Sequence, residues 1–377
     1  MIKRIQIENF KSFGKVDLEP HPKVNLLIGP NSSGKSNFLE AMRLGGAFDG
    51  NLGQIEEIWS KLQYKDNRIV KSGIFEIEIW FEITGGILGL FSNIKVSKIH
   101  ESLWFKFTHK DIAFAHFVWD KYRPYQADYS KNLSHQECVD FFQKFKSAGV
   151  VDYQPDVKLM RTSITLNRNY SLEKSLEGIA LLIKNLDDNF RDTNFARFRE
   201  DLFALTQEFN LVTTPASSKD GQIELKFFTE KSSFSVNEVS DGILLFTAIL
   251  AILHQPNPPK VILLEEPENG IHPRRIIEIY RLIWKLAEEK DVQFFITTHS
   301  PILLEQFSED PECVWVFDKV DGTSQVKNLK YDILDPRTKQ LIDLGVKEPG
   351  DLTIGLGDNW LLGLIDGVPP AIFPEDY

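Results

Sequence analysis

Apolar positions Ile2, Ile5, Ile7 and Phe10 mark a first strand, and residues 74–83, IFEIEIWFEI, alternate with a period of two. Such alternation predicts strands with one buried face. Residues 24–28 form an apolar run broken only by Asn25, which reads as a buried strand. It leads into Gly29-Pro30-Asn31-Ser32-Ser33-Gly34-Lys35-Ser36, and then into the helical spacing of Phe38, Leu39 and Met42. Residues 51–71 are polar and show no assignable period. From 96 to 235 the pattern is aromatic at first (Trp104, Phe105, Phe107, Phe114, Phe117, Trp119). It turns helical from 171 to about 210 and closes on a strand at 222–229. Breaks containing Gly, Ser or Pro at 84–89 and 213–221 bracket this middle as an insertion. A helix (242–254), strand (261–264), helix (274–290), strand (292–296) rhythm follows. That alternation predicts a parallel sheet covered by helices.

The pattern divides the chain into 1–95, the first half of an α/β head with the glycine-rich loop; 96–235, the helical and β insertion; 236–318, the second half of the head; and 319–377, short apolar pieces between Gly and Pro that read as a cap or interface. At 377 residues a sizeable core is readily built, and 42% hydrophobic with 26% charged residues describes a globular chain. The apolar stretch 242–253 is too short to span a bilayer, and the N-terminus lacks the apolar centre of a signal peptide, so no membrane partner is expected. Two cysteines, Cys138 and Cys313, make no disulfide framework, which suits a reducing cytoplasm. His135-Gln136-Glu137-Cys138 has the spacing of half a metal site, but the sequence offers no second half, and the segment reads instead as a surface helix. The net charge of −11 argues against a basic surface. A nucleic-acid groove would have to be assembled from a minority of the lysines and arginines, across a dimer for example.

Strand, glycine-rich turn, helix is the context in which G-x-x-x-x-G-K-[ST] means a phosphate-binding loop. Gly29 and Gly34 free the backbone, with Asn31, Ser32 and Ser33 between them, so that consecutive N–H groups face phosphate oxygens. The new helix adds its dipole, Lys35 a point charge, and Ser36 a hydroxyl suited to Mg²⁺. ATP and Mg²⁺ are the ligands expected. Downstream, VILLEEPENGIHP places Glu265 and Glu266 at the end of a buried strand, where one carboxylate can hold the metal and the other orient water. FFITTHSP puts His299 at the end of the next strand, within reach of a γ-phosphate or the attacking water. Ser240, Asp241 and Gly242 open an apolar helix; they are ordinary capping residues, but the same free N–H groups can bind an anion.

Taken together these segments resemble the ATP-binding-cassette ATPases of the SMC/RecF/OLD group. IKRIQIENFKSFGKVDLEP with NLLIGPNSSGKSNFLEAM is similar to the group's N-terminus, VSDGILLF to its signature motif, VILLEEPENGIHP to its Walker B and D-loop, and FITTHSP to its switch-histidine segment. The resemblance covers 1–45 and 237–305. It implies an α/β P-loop NTPase, an ABC-type head with a mixed sheet, an antiparallel β-subdomain and a helical insertion. It implies an ATPase whose heads stack as a homodimer or higher oligomer. Gly34, Lys35 and Ser36 of one copy, with Asn37 beside them, then hold the ATP against Ser240, Asp241 and Gly242 of the other. Glu266 is the implied catalytic base, His299 the γ-phosphate sensor, 269–272 the D-loop, and Lys11 a basic group near the nucleotide.

Departures matter. Asp241 and Ile243 replace the residues of transporters, which points to the defence and repair branch; Glu265 stands where Asp is usual; Gln54 is the candidate Q-loop metal ligand. No heptad segment for long arms is present, and the chain beyond Asp318 is too short for the Toprim nuclease of OLD proteins. The implied role is an ATP-gated switch for DNA or for an effector, a nuclease or toxin. Arg274 and Arg275 suit either a phosphate backbone or a dimer face. The alternatives are a P-loop kinase, a transporter-type subunit, and a nuclease built on Asp220, Glu224 and Lys226, which a solvated strand face also explains.

Overall fold

The computed structural model describes residues 1–46, 74–81, 92–99, 102–109, 112–120, 123–129, 150–153, 160–165, 178–215, 222–269, 271–346 and 350–368. Gln54, His135, Cys138 and Asp220 lie outside the described residues. The chain forms two compact units: Met1–Val150 with Thr297–Tyr377, and Val151–Ile296.

The first unit begins with β1 (Ile2–Glu8), β2 (Lys15–Leu18), β3 (Val24–Ile28) and α1 (Lys35–Gly46). It continues through β4 (Ile74–Phe81), β5 (Ser92–Ile99), β6 (Ser102–His109), β7 (Ile112–Asp120) and β8 (Arg123–Tyr129). These build a seven-stranded sheet in the order β2-β1-β4-β5-β6-β7-β8, antiparallel throughout. The period-two segments at 2–8 and 74–81 are neighbours in it. Ile7 faces Ile77, and both are fully buried.

The second unit holds β9 (Val150–Tyr153), β10 (Ile164–Thr165), α2 (Ile179–Asn189), α3 (Ala196–Thr206), β11 (Leu211–Thr213), β12 (Gln222–Ile223), β13 (Lys226–Phe228) and β14 (Ser233–Ser235). After them come α4 (Asp241–Leu253), β15 (Val261–Glu265), α5 (Pro273–Lys290) and β16 (Gln293–Thr297). The single strand expected at 222–229 is two strands. Its first half pairs with β10 and its second with β11 and β14, so Glu224 falls in the break and Lys226 on the next strand. Helix α4 is buried along 244–253, as an apolar run without a polar face requires. Helix α5 is amphipathic and buries Ile276, Ile279, Leu282, Ile283, Leu286 and Ala287. His272 caps its start through Nδ1 and Pro273 is its first residue.

The chain then returns to the first unit as α6 (Pro301–Glu305), β17 (Val314–Val320), β18 (Thr323–Asn328), α7 (Asp335–Asp343) and α8 (Leu356–Leu361). β17 runs parallel to β3 and antiparallel to β18, which makes this sheet mixed. Part of the segment read as a cap is therefore sheet. The buried positions of β18 are the polar Ser324 and Asn328, so no apolar period marks the strand in the sequence. Further on, the Gly357 amide donates to Glu305 of α6, and the Trp360 indole donates to the Gly367 carbonyl. Among the described residues no helix is long and apolar enough to cross a membrane.

Candidate nucleotide-binding and signature sites

In the first unit β3 is buried at every position, including Asn25. That polar side chain is satisfied: Oδ1 accepts from the His21 amide and the Trp315 indole, and Nδ2 donates to the His21 carbonyl. From Ile28 the chain turns through Gly29 at φ +143°, Ser32 at +64° and Gly34 at +115°. Two of these need glycine twice over. A Cβ on Gly29 would lie 2.2 Å from the Phe317 carbonyl oxygen, and one on Gly34 2.5 Å from Ser324 Oγ.

Lys35 is 6% exposed; its ammonium folds back over the loop and donates to the carbonyls of Gly29 (2.6 Å) and Pro30 (3.1 Å). Ser33 Oγ is buried with no hydrogen-bond partner. A cation stored on the loop and an unanswered hydroxyl within it fit a triphosphate. Asn31, Ser32 and Ser36 are exposed. Asn37 is turned instead to Ser12, which also accepts from Ser324, so the loop before β2, helix α1 and β18 are clasped together. Lys11, with φ +50°, ion-pairs with Glu40 on α1 and stands over the Phe10 ring. The Thr298 amide donates to the Leu27 carbonyl (3.1 Å), so the exposed His299 follows beside the strand that feeds the loop.

In the second unit the residues of β15 before Glu265 are buried, and both Glu265 and Glu266 are partly exposed. Glu266 has a left-handed backbone, φ +46°, an unusual conformation for a non-glycine residue. Its carboxylate accepts from the Asn269 amide at 2.8 Å. Glu268, also in this segment, is partly exposed. Ahead of α4, Ser235 and Glu238 form a capping box, and the Ser235 amide and hydroxyl hold the Glu238 carboxyl below its usual range. Ser240 is the N-cap of α4, yet its hydroxyl makes no capping bond and the residue is exposed. A Cβ on Gly242 would meet only Ile271, at 3.8 Å. Asp241 is ion-paired with Arg161. Arg275 is engaged with Glu278 and the Leu205 carbonyl, while Arg274 is exposed.

Sequence reasoning missed Arg161, 80 residues from its partner, because nothing local marks it. It also missed the hold of Asn269 on Glu266, which the three-residue spacing across a turn could have signalled.

A strand, glycine-rich loop and helix at a mixed sheet, together with a large antiparallel sheet, give an α/β fold of the P-loop type. Residues 1–77 match the family model "RecF/RecN/SMC N terminal domain", and residues 188–305 match "AAA domain, putative AbiEii toxin, Type IV TA system". The DNA replication and repair protein RecF of Staphylococcus haemolyticus is 49% identical over 41 residues. That of Streptococcus uberis is 51% identical over 41 residues. Each match spans 11% of this chain and only 11% of the relative's length. An SmcHead solved with the C-winged helix domain of ScpA superposes with a TM-score of 0.56 at 15% identity, over 86% of this chain and 97% of that one. An Smc head from Pyrococcus furiosus with an extended coiled coil, solved with the C-terminal domain of ScpA, gives 0.52 at 15% identity, over 91% and 99%. In fold the chain is similar to these Smc heads, and over the matched stretches it is similar to the N-terminal domains of RecF and SMC proteins.

Proposed function

We propose that the chain binds ATP with Mg²⁺ and closes into a homodimer with nucleotide between two heads. It reopens on slow hydrolysis and passes that switch to a partner effector or to DNA. The observation that carries this reading is the N-terminus of α4. Ser240 presents an exposed hydroxyl that does no capping, and Gly242 has no neighbour in the chain that demands glycine. Both are accounted for if a second head brings a γ-phosphate to this end of the helix, where free N–H groups and the dipole favour an anion.

In each head Lys35 exchanges two carbonyl partners for phosphate oxygens, a stronger, charge-assisted contact. Ser36 and Glu265 would hold Mg²⁺, which supplies charge neutralisation at the β/γ-oxygens. Glu266, oriented by Asn269, takes the proton of the attacking water, and His299 stabilises charge developing on the γ-phosphate. ATP bound at the joint favours the closed state by differential affinity, as any ligand switch requires. A cytoplasmic role in DNA repair or prokaryotic defence draws support from the RecF relatives and from the toxin–antitoxin family description. A protein partner draws support from the ScpA-bound heads.

Light scattering with and without ATP tests the proposal. Glu266→Gln is expected to accumulate ATP-dependent dimers, whereas Lys35→Ala stays monomeric in both conditions. Identical distributions for the two variants would overturn it.

A further inference from the structure

Arg161 lies in the turn after Met160, yet its guanidinium is devoted to the segment before α4. Nη1 donates to the Val236 carbonyl (2.5 Å), and Nη2 donates to the Val239 carbonyl (2.9 Å) and to the Asp241 carboxylate. The Arg161 side chain is 24% exposed and that of Asp241 47%, so the pair sits at the rim, beside the exposed Ser240. Two main-chain carbonyls hold the guanidinium in place, and its planar fork matches them in a way that an ammonium would not. A carboxylate in the first turn of α4 suits the helix dipole but repels a triphosphate arriving at the same helix end. Arg161 offsets that charge where the repulsion would act.

We infer that Arg161 is a positioning residue for the ATP-dependent joint, resting on the dimer proposed above. It sets the 236–241 turn so that the Ser240 hydroxyl faces outward. It also neutralises Asp241, so that the end of α4 accepts the second head's nucleotide. The cis nucleotide grip, built from the phosphate loop, does not involve it.

The test uses the full chain carrying Glu266→Gln, with dimer dissociation constants from sedimentation equilibrium in ATP and Mg²⁺, and with melting curves for every variant. Arg161→Ala weakens the dimer by about tenfold or more, the scale of losing hydrogen bonds to a charged group. ATP binding to the monomer, read with a fluorescent analogue at low protein concentration, stays within about twofold because no loop contact is lost. Adding Asp241→Asn to Arg161→Ala recovers a large part of the loss, and the Arg161→Ala defect shrinks as salt rises. A purely structural pin predicts neither effect. Should Arg161→Ala melt early, Arg161→Lys carries the test with an intermediate defect. An Arg161→Ala dimer as tight as the parent, or a double variant no better than the single one, overturns the inference and leaves the dimer standing. A parent that fails to dimerise on ATP removes the dimer itself, and the inference with it.

Discussion

Two glycines of the candidate sites respond to a methyl group in opposite ways, because their surroundings differ. Gly29 faces a backbone carbonyl at 2.2 Å from the position of a Cβ, and its φ of +143° is closed to L-residues. Gly29→Ala is expected to cost about 2–4 kcal/mol, read by urea unfolding, with loss of ATP binding. Gly242 stands in the first turn of a helix, where a Cβ would make only ordinary contact with the Ile271 side chain at 3.8 Å. Gly242→Ala is expected to leave stability unchanged or raise it by up to about 1 kcal/mol, the helix propensity difference, while weakening the ATP-dependent dimer. A destabilised Gly242→Ala variant would point to packing inside the chain as the reason for that glycine. Glu266 belongs with Gly29 in spirit: its left-handed backbone is held by the turn in which Asn269 returns to it, both through the side-chain bond and through the Asn269 amide to the Glu266 carbonyl.

At the scale of elements, helix α4 is anchored at both ends. Arg161 holds the turn before its start, and His254, its C-cap, bonds through Nε2 to Asp201 of α3 at 2.9 Å. Asp201 also accepts from Lys285 of α5 at 3.0 Å, so one carboxylate ties three helices together. The His254 hydrogen bond, aided by Lys285 and opposed by burial, holds the Asp201 carboxyl below its usual range. With the folded value depressed, the unfolded chain binds more protons between that value and the ordinary one of about 3.9. The stabilisation is therefore complete above the ordinary value and is lost as pH falls through the folded one. Asp201→Asn is expected to cost about 1–3 kcal/mol at neutral pH. Its urea midpoint should converge on that of the wild type as pH drops below the ordinary carboxylate range. Parallel midpoints across that range would mean that Asp201 contributes nothing through its charge.

For the whole molecule, ligand linkage gives the broadest check. ATP with Mg²⁺ at a hundred times its dissociation constant should stabilise the chain by about 2.7 kcal/mol, visible as a raised melting temperature. Lys35→Ala should show no such rise. With a net charge of −11, contact with DNA would be confined to local basic ground and would weaken with added salt. The sequence by itself determined the phosphate loop, the paired carboxylates, the histidine after β16 and the helix opened by Ser240, because each is written in consecutive residues. Loop backbone and first-turn amides are local chemistry, and strands or helices with a clean apolar period announce themselves. The tertiary structure alone decided what these motifs touch. Ser12 meets Ser324 across 312 residues, Lys11 is taken by Glu40, Asn37 by Ser12, and Asp241 by Arg161. β18, whose buried positions Ser324 and Asn328 are polar, became sheet by pairing with β17. Such partners are chosen by the packing of distant elements, and no short stretch of sequence carries that information.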